Sequence, residues 1–352
     1  MRLSSFTYAV FLLLFAVFFS GCLKDNFSPP LEVPLSDSGK LLFYLEDEGD
    51  YINSLNMPSL VSADEVFSHS DLWPLIDIRP VSEFQSGHIE GAHNVSHSNL
   101  IAFLDSINYL QYPSIVIISK NGQSSAYYTS LLRLYGFGNV YSMNYGMASW
   151  NSVFADQWFN ALQQNYELIR DYYTDNIAFK PPLTPLPGIT LSGSSLEEGV
   201  KNRIKQMMDE DYEDNLGALE STATIDYNIL MGNPENFFIV CYHTGVLYKD
   251  IRYGIAHPQN TVLYHPPPSA SELKSTSFLQ TLPSDMKIAF YSTNGQLSAF
   301  AVAYLRLLGY DAKSVLFGAN NMFYYTLAAA SGFDAEVFSA NKIRNYPYVT
   351  GN

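Results

Sequence analysis

The sequence predicts an α/β fold made of two related units, each a mainly parallel central sheet flanked by helices. Three observations predict it. The phrase Ser119-Lys120-Asn121-Gly122-Gln123-Ser124-Ser125-Ala126 follows a continuous apolar run, Ile115-Val116-Ile117-Ile118, and opens a helical pattern from Tyr127 to Tyr135. A short apolar run of this kind is a buried strand, so the order is strand, glycine-containing loop, helix. The phrase then recurs as Ser292-Thr293-Asn294-Gly295-Gln296-Leu297-Ser298-Ala299 after Ile288-Ala289-Phe290-Tyr291, at an offset of 292 − 119 = 173 residues. The offset persists into the helices, where Leu132-Arg133-Leu134-Tyr135-Gly136-Phe137 matches Leu305-Arg306-Leu307-Leu308-Gly309-Tyr310. A chain of 352 residues is long enough for two such cores.

The elements follow in order. Arg2 and the apolar run Tyr8–Phe19 lead into Phe19-Ser20-Gly21-Cys22. The run is shorter than the roughly 20 apolar residues of a bilayer span, and a cysteine directly after it resembles a bacterial lipoprotein signal. Residues 1–21 are therefore expected to be removed and Cys22 to carry lipid, with membrane anchoring contributed at about 0.8 kcal/mol per buried methylene. Residues 22–37, stiffened by Pro29, Pro30 and Pro34, are a tether. The first unit is assigned to 38–178. It holds a helix over Lys40–Tyr51, a segment opened by Ser62-Ala63-Asp64-Glu65, a strand Leu75–Ile78, a helix near Asn99–Tyr109, then the strand, loop and helix described above, and a close at Tyr141-Ser142-Met143 and Trp150. Trp158, Leu162, Tyr166, Ile169 and Tyr173 fall at helical spacing over 151–175, an aromatic stripe expected to pack across a domain face.

Residues 179–193, with Pro181, Pro182, Pro185 and Pro187, are a linker. The second unit is assigned to 194–352. Ser195-Leu196-Glu197-Glu198 predicts a capping box and a helix to about Met208. The following Asp209-Glu210-Asp211-Tyr212 matches Asp47-Glu48-Gly49-Asp50-Tyr51, so the repeat includes each lead-in. Phe237–Cys241 is the counterpart of Leu75–Asp77. Gly254-Ile255-Ala256-His257 faintly echoes Gly91-Ala92-His93, and strand, loop and helix return at Lys287.

Composition excludes some functions. With 34 acidic against 19 basic residues and a formal net charge of −15, nucleic acid is not an expected partner. Two cysteines, Cys22 and Cys241, do not make a disulfide scaffold. His88, His93 and His97 are close in sequence, but no carboxylate or thiol completes a zinc set, and neither metal nor cofactor is expected.

Ile76-Asp77-Ile78-Arg79, Glu83-Phe84, Gly87-His88-Ile89 and Gly91-Ala92-His93-Asn94 form one signature; Gly136-Phe137, Val140-Tyr141 and Gly146-Met147-Ala148-Ser149-Trp150 form another. Together they resemble the rhodanese domain, strongly over about 60–150, moderately over 285–325 and weakly over 224–270. The resemblance implies that active members begin the loop with a persulfide-carrying cysteine. Here that position is Ser119, and in the second unit Ser292. Asp and Arg of the first signature correspond to Cys241 and His243 in the second unit.

Sulfur transfer needs a thiolate, and a serine nucleophile needs an adjacent base. Neither loop supplies one in sequence. The cradle itself is kept: Gly122 and Gly295 retain the turn, and a strand-to-helix loop directs N–H groups and a helix dipole at one small volume. The candidate binding residues are accordingly Ser119, Lys120, Asn121, Gly122, Gln123, Ser124 and Ser125 in the first loop, and Ser292, Thr293, Asn294, Gly295 and Gln296 in the second. The expectation is a catalytically inactive binding or scaffold module of the bacterial cell envelope. It would be lipid-anchored, periplasmic or surface-facing, and would take a protein or a small anion at the first loop. The alternatives are a sulfurtransferase or other enzyme using Cys241 or Ser119, and an envelope protein without a ligand.

Overall fold

The first sheet is five-stranded and wholly parallel, in the order β1 (Leu60–Val61), β5 (Val140–Met143), β4 (Ile115–Ile118), β2 (Leu75–Asp77), β3 (His93–Asn94). All four residues of β4 are fully buried, as an apolar strand covered on both faces must be. The second sheet repeats this order: β7 (Thr224–Ile225), β12 (Ala312–Val315), β11 (Lys287–Tyr291), β8 (Phe237–Tyr242), β10 (Val262–Tyr264). This is a mixed α/β architecture with two parallel sheets flanked by helices. The computed structural model describes residues 35–162, 173–215, 217, 220–252, 255–330 and 336–351, and from Ser36 onward they form one compact unit. The expected signal, Cys22 and most of the tether lie outside the described residues, as do Tyr166, Ile169 and Gly254.

Register makes the repeat exact at the centre. Asp77 faces Ile118, and Cys241 faces Tyr291. Because 118 + 173 = 291, Cys241 stands where Asp77 stands. The strand beside β8 is Val262–Tyr264, however, and not the segment holding His257. His257 lies in β9 (His257–Pro258), which pairs antiparallel with β6 (Tyr173–Thr174). Tyr173 is thus in a strand rather than on a helical stripe. Trp158, on the helix Asp156–Ala161, does pack between the halves. It is fully buried, stacks on Phe338 at 4.8 Å and meets Phe317 edge-on at 4.7 Å.

The two halves interlock. Helices α5 (Gln123–Tyr135) and α11 (Gln296–Leu307) pack against each other closely enough for the Ser130 hydroxyl to donate to the Phe300 carbonyl at 2.9 Å. Each lead-in crosses to the opposite half. Tyr51 meets Phe300 on α11, and Tyr212 meets Tyr127 on α5; 127 + 173 = 300. One apolar core therefore contains Leu41, Tyr127, Ile204 and Phe300 together. The 179–193 segment is pinned as well: Thr184 Oγ1 donates to the Leu282 carbonyl at 2.8 Å, and Leu191 N–H donates to Asp37 at 3.0 Å.

Two capping details differ from the sequence pattern. Ser62 and Glu65 form the complete reciprocal box. Ser195 accepts from Glu198 N–H, but the Glu198 carboxylate reaches one residue further back and takes the Ser194 N–H at 2.7 Å. The C-terminal residues return to the first half. Tyr346 stacks on Phe67 at 4.0 Å, Trp150 Nε1 donates to the Pro347 carbonyl at 2.8 Å, and Val349 exchanges backbone hydrogen bonds with His88.

Candidate functional site

The first loop joins β4 to α5. Gly122 has φ +89°, the left-handed conformation that closes the turn, and Gly295 has φ +79° in the same role. Ser119 is buried. Its Oγ accepts the Gly122 N–H at 3.0 Å and donates to Ser125 Oγ at 3.0 Å, and Ser125 Oγ lies 2.7 Å from Ser142 Oγ. The second loop repeats the relay: Ser292 Oγ accepts the Ser298 N–H at 3.2 Å, and Ser298 Oγ lies 2.9 Å from Ser314 Oγ. Both hydroxyls are thus engaged in hydroxyl–backbone networks.

The amides of the loops serve the fold. Asn121 Oδ1 accepts the Gln123 N–H at 3.0 Å, and Asn294 Oδ1 accepts the Gln296 N–H at 3.1 Å, each holding the turn that enters its helix. Gln123 then crosses to the other half, where its Oε1 accepts the Phe317 N–H at 2.8 Å. Gln296 Oε1 accepts the Tyr145 N–H at 2.8 Å in return. A Cβ on Gly122 would collide with Gln296 Oε1, so this glycine is required by the opposing loop as well as by its own φ.

What opens to the surface is the side of the first loop facing Lys120 and Ser124. A cavity of about 590 Å³ there is lined by Arg79, His97, Lys120, Ser124 and residues 211–215. A second, of about 740 Å³, shares Arg79 and Lys120 and adds Phe154, Gln157 and Tyr348. Lys120 Nζ pairs with Glu83 at 3.2 Å between them. Arg79 is buried, donates to both Asp77 oxygens and lies over the Phe154 ring at 5.5 Å.

Over this mouth lies a segment that the sequence reading used only as a repeat marker. Tyr128 Oη donates to the Glu210 carbonyl at 2.8 Å and accepts the Tyr212 N–H at 3.0 Å, fixing the segment's base. His97 stacks on Tyr128 and contacts the Met208 carbonyl and Asp211. Ser124 Oγ donates to Asp214 Oδ2 at 2.7 Å. Burial, reinforced by Glu213 and Glu83, pushes the Asp214 carboxyl up to about 6 against the opposing effects of Ser124 and Lys120. The signal available in sequence was the acid-rich run 209–214 directly after a lead-in helix.

The second mouth differs. Thr293 is fully buried in the place of Lys120, and His243 pairs with Glu336 at 3.0 Å. The Asp-Arg hook reappears displaced: Arg252 donates to both oxygens of Asp250, as Arg79 does to Asp77, and 250 − 77 = 173. This match at the repeat offset also escaped the sequence reading. His88 Nδ1 contacts the Phe84 carbonyl and His93 lies against Phe103, so the three histidines go to three different places. Cys241, the thiol among the described residues, is fully buried, and burial pushes it up to about 12 despite a hydrogen bond with Tyr291.

Residues 62–153 match the model of the rhodanese-like domain. The thiosulfate sulfurtransferase GlpE of Pseudoalteromonas translucida is 32% identical over 83 residues, 24% of this chain and 77% of that protein. The same enzyme from Shewanella oneidensis is 33% identical over 79 residues, 22% of this chain and 76% of that protein. Among solved structures, a thiosulfate sulfurtransferase from Pseudomonas aeruginosa aligns over 87% of this chain and 69% of its own at 14% identity, with a TM-score of 0.26.

Proposed function

The chain belongs to the rhodanese-like family, and on that premise we propose that it is a non-catalytic binding module made of two rhodanese-like units. In this reading the loop cysteine has been replaced by Ser119 and Ser292. The mature chain begins at Cys22, is lipidated there and is held at a membrane of the bacterial cell envelope. The observation that carries the proposal is the state of Ser119: its hydroxyl is buried in a relay with Ser125 and the Gly122 N–H. An alcohol in that position ionises far above neutral pH and forms no transferable persulfide. Cys241, buried in a core strand with its thiol pushed up to about 12, is chemically quiet.

The second reading is a sulfurtransferase, favoured by the two relatives that carry that activity in their names. One experiment separates them. Sulfur transfer from thiosulfate to cyanide is measured on the wild type, on Cys241→Ala and on Ser119→Cys in the Cys241→Ala background. The binding-module reading expects no transfer by the first two. It expects an alkylatable thiol of lowered pKa in the third, because the Gly122 N–H and the start of α5 point at that atom. Robust transfer by the wild type, abolished by Cys241→Ala, overturns it.

A further inference from the structure

The hydrogen bonds between the first loop's mouth and the tip of the segment over it, residues 213–215, run one way. Ser124 Oγ donates to Asp214 Oδ2 at 2.7 Å. Asn121 Nδ2 and Gln157 Nε2 donate to the Asp214 carbonyl at 3.0 and 2.8 Å. Gln157 Nε2 and Lys120 Nζ reach Asn215 Oδ1 at 3.3 and 3.5 Å. The mouth supplies only donors in these contacts, and the tip 213–215 only acceptors. The acceptors are a carboxylate, the carbonyl of the same residue and the side-chain oxygen of the next. A free inorganic anion does not present that series, whereas an extended peptide does.

The tip is an overlay rather than a part of the core. Tyr212, at its base, is buried, but Asn215 is exposed. Asp214 is also an imperfect occupant. Burial works against its charge, and Glu213 and Glu83 add to the effect, so at neutral pH an ionised carboxylate sits there incompletely compensated. A partner that displaces the tip removes Glu213 with it. Cavity space on both sides of the Lys120–Glu83 pair leaves room for residues flanking the displacing group.

We propose that Glu213–Asn215 is a built-in occupant of a donor-lined peptide site, and that the ligand which displaces it is an acidic segment of another protein carrying an Asp or Glu followed by a hydrogen-bond acceptor. This rests on the binding-module reading and specifies its ligand class. The mouth is self-occupied in the resting chain, and affinity for the partner is the difference between two similar sets of hydrogen bonds.

The test uses the full-length chain and a fluorescein-labelled peptide, Tyr-Glu-Asp-Asn, with anisotropy as readout. The double variant Asp214→Ala, Asn215→Ala removes two of the three acceptors and is expected to bind the peptide at least tenfold more tightly than wild type. Adding Ser124→Ala and Lys120→Ala is expected to abolish the gain, as is replacing the peptide's aspartate by alanine. If the double variant loses its cooperative melt, Asn215→Ala alone, which removes one exposed acceptor, is expected to show a smaller gain of the same sign. Equal affinity of wild type and folded variants overturns the proposal. So does competition by acetate at the peptide's own concentration, because a bare carboxylate would then suffice. Sulfur transfer by the wild type would sink the non-catalytic reading while leaving these binding results standing, so the two failures are distinguishable.

Discussion

Asp214→Asn is expected to stabilise the protein at pH 8 and to have little such effect at pH 4. The carboxyl is raised from 3.8 to about 6 in the folded chain, first by burial, then by Glu213 and Glu83, with Ser124 and Lys120 pulling the other way. A raised folded pKa means that the folded state binds the proton more tightly than the unfolded state. Below about pH 3.8 both states are protonated and the site costs nothing. Between 3.8 and about 6 the unfolded chain ionises while the folded chain holds its proton, so stability falls as pH rises. Above about 6 the penalty is complete. The rise from 3.8 to about 6, at about 1.4 kcal/mol for each tenfold change in proton affinity, sets a ceiling of about 3 kcal/mol, reduced because Asp214 keeps partial access to solvent. Asparagine retains an acceptor for Ser124 and carries no charge, so it recovers most of this, about 1–2 kcal/mol at pH 8. The assay is urea unfolding of wild type and variant at pH 4, 5, 6, 7 and 8. His97 and Asp211 also lie at the mouth, but they are common to both proteins and cancel in the difference. A variant that is equally destabilised at every pH would refute the reasoning, because Asp214 would then act through its hydrogen bond alone.

The remaining expectations concern the fold and its attachment. Gln123→Ala and Gln296→Ala each strand a buried N–H, of Phe317 and Tyr145, and should cost about 1–3 kcal/mol apiece in urea unfolding. Because the halves share a core, either variant should still unfold in one transition, and two separated transitions would contradict the interlocked packing. Arg79→Met leaves the Asp77 carboxylate buried without its partner and should cost about 3–5 kcal/mol, read as a lowered melting temperature; a neutral outcome would mean that Asp77 is carried by the backbone alone. Cys22→Ser should release the chain from membranes on fractionation, and retention after signal removal would place the anchor elsewhere.

Much of the architecture was legible in the chain because it depends on local pattern. Ile115–Ile118, Leu75–Asp77 and Lys287–Tyr291 are apolar runs of strand length, and a sheet covered on both faces asks for nothing else. The 173-residue offset identified the duplicated loop and helix, and the glycines at 122 and 295 marked the left-handed turns. The signature around Asp77 and Arg79 carried the family. The buried hook between these two side chains is an i, i+2 contact, which neighbouring residues can specify by themselves.

Tertiary structure decided the rest. Gln123 and Gln296 looked like ligand-facing loop residues, yet each is spent on a backbone N–H of the opposite half. The proline-rich stretch looked like a divider between units, yet each lead-in packs on the opposite half and one apolar core draws on both. His257 occupied the place of His93 in sequence but pairs with β6, because β10 took the strand position beside β8. Asp214, which covers the first loop, lies 90 residues from Ser124. Strands and turns are fixed by a residue and its near neighbours, so a single sequence displays them. Occupancy of a mouth is fixed by which distant segment the packed helices bring over it, and no local pattern encodes that.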